Sequence, residues 1–394
     1  MQTEGPSSGP LRILVGADVP PNPDSGAAGT VFQMNAALRQ LGHTVDEFWS
    51  TDLGRRIQHG NLHYLLELPA KYRREMRRRL RDRTYDVIEL NQPHAYAAAA
   101  DHKRHRLPGV FVNRSHGHEV RSQEALDPWR RQFGGKRPGR FRGTVSNVIR
   151  RLLDRQWNLI ARTADGFVVS CREDAEFLID RYKVAAERIG TITQGVPEAF
   201  LERPVAPYDG SRSRRLLYVG QMAFFKAPTV LGRAVSLILR QAPDATMTWV
   251  CGRGQSEAAL GLIDSDVHAR VTTIEWMTQA ELIDVFDQHG MFLFPSFFEG
   301  FGKAPLEAMS RGLCVVASRT GGMRDYIRDE ENGMLVPVGD ADQMADAALK
   351  LLHDPEAAQR ISAAARITAI EHTWVRCARD VEAFYRQLLA VQRT

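Results

Sequence analysis

The chain has 394 residues, 43% of them hydrophobic, with a formal net charge of +5. That length exceeds one ordinary core and predicts two domains. The composition is that of a soluble globular protein, and no apolar run reaches the roughly 18 residues needed to span a bilayer. Residues 1–10 lack a basic region and an apolar run, so they read as a short disordered lead-in rather than a signal peptide. Cys171, Cys251, Cys314 and Cys377 are widely separated, without metal or disulfide spacing, and read as buried small residues in a reducing cytoplasm. The positive charge is concentrated before about residue 206, where a negatively charged partner would be met.

In chain order, 11–15 reads as a first strand, followed by a Pro/Gly-rich loop from Asp18 to Gly29. Thr30 to Leu41 has helical periodicity, ended by Gly42. Strands are predicted at 44–48, 85–90, 109–113, 165–170 and 189–192. Between the first two of these runs a basic stretch, 71–83, whose apolar residues Tyr72, Met76 and Leu80 recur every four. That stripe fits either a helix packed on the sheet or a basic amphipathic helix on an anionic membrane. A second basic region runs from Arg130 to Arg155. No stacking platform or base-reading module suggests nucleic acid. Leu201 to Arg215, rich in Pro, Gly and Ser, reads as a linker. A second alternating series starts at Leu216, and a last helix is predicted at about 374–389. Strands alternating with helices argue for an α/β chain with parallel, doubly wound sheets.

The most informative segment is 291–312. An apolar run, Met291 to Pro295, reads as a buried parallel strand, and Ala304 to Ser310 are good helix formers. Glu299 therefore falls on a strand-to-helix loop, and Glu307 one to two turns into the helix. Gly300 and Gly302 let backbone approach a ligand, and the helix N-terminus favours an anion. Two carboxylates around such a turn suit a phosphate-bearing molecule with hydroxyls at both ends, such as a nucleotide sugar.

This segment resembles the retaining glycosyltransferases of family 4, marked by two glutamates separated by seven residues. The runs 216–220 with Gln221 and Lys226, 249–254, 315–322 and 332–337 match in the same order. The resemblance implies the GT-B architecture, with two Rossmann-like domains facing a cleft. An acceptor-binding domain would cover 11–205, a nucleotide-sugar-binding domain 206–373, and a helix at 374–394 would return to the first domain. It further implies a cytoplasmic enzyme, with peripheral contact at the inner face of a membrane as an option.

The resemblance also assigns roles. Gly26 and Gly29, on the first strand-to-helix loop, would lie by the donor phosphates or the acceptor. His116 would face the reacting sugar, with His118 as a rival and Glu119 by the acceptor. The His116-Gly-His118 pair suggests a metal by itself, but no third ligand is spaced nearby. Lys226 would stabilise charge on the departing diphosphate. Glu299 would face the donor sugar, the amides of Gly300, Phe301 and Gly302 would hold phosphate, and Glu307 would bind ribose hydroxyls. Ile274 and Met277 fall where relatives contact the nucleobase. Many relatives carry arginine where this chain has Gln221, so the bidentate clamp on phosphate is missing, and Arg253 is a candidate substitute. The implied reaction is retaining transfer to a hydroxyl acceptor, a soluble natural product or a lipid-linked glycan, with no metal or other cofactor. A catalytically weakened binding protein and a phosphorylase-like, sugar-phosphate-forming enzyme are the alternatives.

Overall fold

The computed structural model describes residues 9–23, 26–134 and 140–393. The disordered lead-in predicted for 1–10 falls largely outside them. The chain divides into two compact units. The first holds residues up to Arg121, then 138–195 and the C-terminal 374–394; the second holds 122–137 and 196–373.

The first unit is built on β1 (Arg12–Gly16), β2 (Thr44–Phe48), β3 (Val87–Asn91), β4 (Val110–Arg114), β5 (Gly166–Val169) and β6 (Ile189–Thr191), all parallel, in the order β2-β1-β3-β4-β5-β6. β3 and β4 are buried along their whole length, as expected for strands covered on both faces. The helix Trp374–Arg393 belongs to this unit and is pinned to the sheet by a buried polar group. Arg114 makes two bonds to Glu89, at 2.7 and 2.9 Å, and Tyr385 donates its hydroxyl to the same carboxylate. A Cβ on Gly166 would lie 2.4 Å from Leu388, so glycine there lets the helix approach the strand.

The second unit carries β7 (Arg215–Val219), β8 (Thr246–Cys251), β9 (Val271–Glu275), β10 (Met291–Phe294), β11 (Cys314–Ser318) and β12 (Met334–Val336). These are also parallel, in the order β12-β11-β10-β7-β8-β9. In an open sheet of this kind the ligand crevice forms outside the carboxyl ends of the strands, where the order reverses. That point lies between β7 and β10 here, and between β1 and β3 in the first unit.

The predicted strands are present with ends moved by a residue or two. The domain boundary differs from the expected 205/206. Val196 already pairs with the second unit, donating its amide to the His372 carbonyl at 2.8 Å, and Phe200 is buried in the second core. The predicted linker is docked rather than loose. The guanidinium of Arg311, wholly buried, bonds the carbonyls of Phe200, Arg203 and Pro204 and the carboxylate of Asp287. Those polar groups would otherwise be buried unpaired, which is why Pro/Gly/Ser composition did not produce a free tether.

The basic stretch forms the helix Leu68–Asp82. Tyr72 and Met76 are fully buried and Leu80 packs at the edge of the core, so the apolar stripe faces inward. Arg77 pairs with Asp101, Arg78 and Arg79 with Glu75, and Arg83 with Asp46. No helix of the described residues is long and apolar enough to cross a membrane. All four cysteines are buried and unbridged.

Candidate active site

The loops after β7 and β10 flank the reversal point of the second sheet, and they are tied together. The amide of Phe297 donates to the Phe225 carbonyl at 2.8 Å. Lys226, at the end of the first loop, places Nζ 2.7 Å from Oε1 of Glu299 on the second. The same oxygen accepts the Ser296 hydroxyl at 2.8 Å. The ammonium group also sits over the Phe294 ring, 4.7 Å from its centroid, a favourable place for a cation. Lys226 keeps 20% of its side chain exposed and Glu299 10%, so this ion pair is sheltered but reachable.

The turn between Glu299 and the helix Lys303–Ser310 depends on glycine. Gly302 has φ +83°, a left-handed conformation that only glycine adopts cheaply. The Tyr326 hydroxyl donates to its carbonyl at 2.6 Å. Gly321, at φ +58°, passes so close that a Cβ there would meet the Glu299 carbonyl at 2.5 Å, and the Gly322 amide donates to the Gly300 carbonyl. Glu307 lies one turn into the helix, largely buried, with Lys303 Nζ at 3.6 Å. Burial is the first cause raising the Tyr326 hydroxyl well above its ordinary pKa, and Glu299 and Glu307 add to it. Tyr218 is raised by burial and by Glu299, so it stays protonated beside the pair.

An aromatic group supports this loop from behind. Trp129 stacks on Phe297 with centroids 5.0 Å apart and planes within 3°, and Phe224 and Phe133 close around the same ring. Trp129 stands on the helix Glu119–Phe133, whose later residues belong to the second unit.

Gln221 is exposed and has no bond to Lys226 or Glu299 among the described residues. Arg253 is likewise exposed, in the turn after β8, with no bond to the pair among the described residues. That turn is organised instead by Gln255, whose Oε1 accepts the amides of Met222 and Gly252, and by Glu275, which accepts the Gly254 amide. Ile274 is the next-to-last residue of β9 and Met277 follows the strand, both half-buried against the second core.

The remaining predicted residues belong to the first unit. The helix Gly26–Gln40 begins at Gly26, where a Cβ would meet nothing, whereas a Cβ on Gly29 would meet the Pro23 carbonyl at 2.5 Å. Gly29 thus has a packing reason of its own. His116 follows β4 and accepts the Asn91 amide at Nε2, 3.1 Å away. Burial, with Arg114 nearby, lowers its pKa to about 3, so the ring is neutral. His118 points elsewhere: fully buried, it stacks on Trp157 at 3.9 Å. The fold therefore splits the His-x-His pair. Glu119 accepts the Trp157 indole N–H at 2.9 Å, and burial raises its pKa to about 8.

Sequence reasoning missed Ser296, Gln255, Tyr326 and the Trp129 platform. The contacts of Tyr326 and Trp129 come from other segments, whereas Ser296, three residues before Glu299, and Gln255, three after Gly252, have local partners.

Two family models match the chain. "Glycosyltransferase Family 4" covers residues 25–200, and "Glycosyl transferases group 1" covers 213–354. The chain belongs to the family-4 glycosyltransferases. Among curated relatives, the D-inositol 3-phosphate glycosyltransferase of Corynebacterium diphtheriae is 30% identical over 259 residues, 61% of this chain and 60% of that protein. The same-named protein of Saccharomonospora viridis is 29% identical over 254 residues, 59% of this chain and 58% of that protein. The chain thus spans about 60% of the length of these relatives. Among solved structures, sucrose-phosphate synthase from Thermosynechococcus elongatus superposes with a TM-score of 0.76 at 20% identity, covering 96% of this chain and 100% of that one. HepE of Anabaena, in complex with UDP and glucose, gives 0.65 at 18% identity, covering 95% and 98%. The two parallel sheets are those of the GT-B fold.

Proposed function

We propose that this chain moves a sugar from a nucleotide-sugar donor to a hydroxyl acceptor, with retention and without a metal. The observation that carries the reading is the Lys226–Glu299 pair at the reversal point of the second sheet, with Glu307 one turn into the following helix. A donor diphosphate would draw the Lys226 ammonium from Glu299, freeing that carboxylate to accept hydroxyls of the donor sugar while Ser296 holds it in place. The amides at 300–302 and the start of the helix Lys303–Ser310 would take the remaining phosphate charge. Glu307 would accept the ribose hydroxyls, as acidic residues do in dinucleotide sites. The base would lie by Ile274 and Met277.

Charge that grows on the departing diphosphate is the main electrostatic demand of the reaction, and Lys226 answers it without a metal ion. Glu299, bonded by both Lys226 and Ser296, acts as an acceptor of hydrogen bonds and not as the nucleophile of a covalent route. Retention then calls for attack from the face of departure, with the leaving phosphate taking the acceptor proton. His116, neutral and accepting at Nε2, carries its proton on Nδ1 and can donate it to a sugar hydroxyl. The complexes of HepE with UDP and glucose, and with UDP-glucose, support a donor of this class.

Gln221, exposed and bonded to neither Lys226 nor Glu299 among the described residues, favours a second reading, a nucleotide-sugar binder with little transfer. One experiment separates the two. The chain is given UDP-, GDP-, ADP- and TDP-sugars, and release of nucleoside diphosphate is followed with and without chelator. Release from one donor, insensitive to chelator and lost in Glu299→Gln, is expected. Binding without release would favour the second reading, and loss on chelation would contradict the metal-free mechanism.

A further inference from the structure

The reversal point of the first sheet, between β1 and β3, has a chemistry opposite to that of the second. Asn91 ends β3, is 1% exposed, and bonds His116 through its amide nitrogen, leaving Oδ1 without a partner. Gln92 follows at φ +62°, a left-handed conformation that is uncommon for a residue with a side chain. It is held there by its amide on the Arg114 carbonyl at 2.9 Å and by its carbonyl on the Asn113 amide group at 2.8 Å. Its own Oε1 is buried without a partner, as is Oδ1 of Asn113. A buried acceptor left unmet costs about 1–3 kcal/mol. Three amide oxygens at the ends of two neighbouring strands therefore call for hydrogen-bond donors.

The charged groups around them point the same way. Asp18, just after β1, is raised to about 6, chiefly by burial, with His63 opposing, and it interacts with Glu119 and Tyr72. The cations near by are already committed. Arg114 is bidentate on Glu89, and Arg121 bonds Asp174 and Glu173 at 2.7 and 2.6 Å. His63 holds Glu67 at 2.8 Å, and His94, on Gln156, is lowered to about 4 by burial and stays neutral. Lys71 is on Glu67 and the Gly54 carbonyl. Among the described residues, an acceptor phosphate placed here would meet two carboxyl groups, while Arg114, Arg121, His63 and Lys71 are each already paired. Resting on the transferase reading above, we propose that the acceptor is an uncharged polyhydroxylated molecule, a sugar or cyclitol ring without phosphate or carboxylate, whose hydroxyls donate to Asn91, Gln92 and Asp18. The inositol phosphate in the relatives' names would then not carry over.

A rival place for an acceptor phosphate exists. Arg56, Arg73, Arg74 and Arg77, with Lys71 and Leu66, line an open concavity of about 690 Å³. The test is built to expose that alternative. The donor active in the hydrolysis assay is labelled in its sugar. A small-molecule extract is split on an anion exchanger into unretained and retained pools, and each pool is supplied to the enzyme. Transfer of label to a compound of the unretained pool is expected. Gln92→Leu should raise the acceptor KM at least fivefold more than the donor KM. Transfer only from the retained pool, abolished by Arg73→Ala with Arg74→Ala, would overturn the proposal in favour of the basic concavity. Labelling from neither pool while hydrolysis persists would overturn it as well. Absence of any donor hydrolysis would instead count against the transferase reading itself.

Discussion

The two sheets end in edges that look alike in topology and differ in chemistry. At the second, charges are matched within the chain: Lys226 on Glu299, Lys303 near Glu307, and glycines that fix the turn between them. At the first, amide oxygens are left open and two carboxyls, Asp18 and Glu119, are held above their ordinary pKa by burial. A preset ion pair suits a ligand part that stays the same, such as a diphosphate, which exchanges one partner for another. Open acceptors suit a part defined by its hydroxyl pattern.

Gly321→Ala should have the largest effect on this contrast. A Cβ there would force the Glu299 backbone aside from a left-handed position, costing about 1–3 kcal/mol of stability, measured by denaturant unfolding. Unchanged stability with full activity would show that the second edge is not preset. Lys226→Ala and Glu299→Gln should each lower transfer more than tenfold, about 1.4 kcal/mol or more of barrier. Steady-state rates check this, and wild-type rates in either variant would remove the pair from the site.

The first edge should announce itself through pH. Glu119 holds its proton more tightly folded than unfolded. Its contribution to stability is therefore complete below the ordinary carboxylate pKa near 4.5 and is lost as pH rises toward about 8. Unfolding curves between pH 5 and 8 should fall less steeply for Glu119→Gln than for the parent, by on the order of 1 kcal/mol per pH unit. Parallel curves would mean that Glu119 is not enclosed. Ser296→Ala, which removes one bond to Glu299, should cost about threefold in transfer, roughly 0.6 kcal/mol. An effect as large as that of Glu299→Gln would make Ser296 more than a positioning residue.

The legibility of the two edges differs in the same way. Buried parallel strands announce themselves as apolar runs, so β10 and the helix carrying Glu307 were readable, and with them Glu299. The place of Lys226, on the loop after β7, was readable because it follows its strand at short range. His118 and Glu119 were not, because their roles come from Trp157, far along the chain. The docking of 200–204 by Arg311 depends on a residue more than a hundred positions away, so composition alone read a linker. The open oxygens of Asn91 and Gln92 follow from backbone geometry at a strand end, which no residue pattern records.

The most direct measurement is calorimetric titration of UDP, GDP, ADP and TDP into the chain and into Lys226→Ala. One nucleotide is expected to bind the parent and to lose at least tenfold in affinity in the variant. Binding of none, or equal binding to both proteins, would contradict a diphosphate site at Lys226 and Glu299.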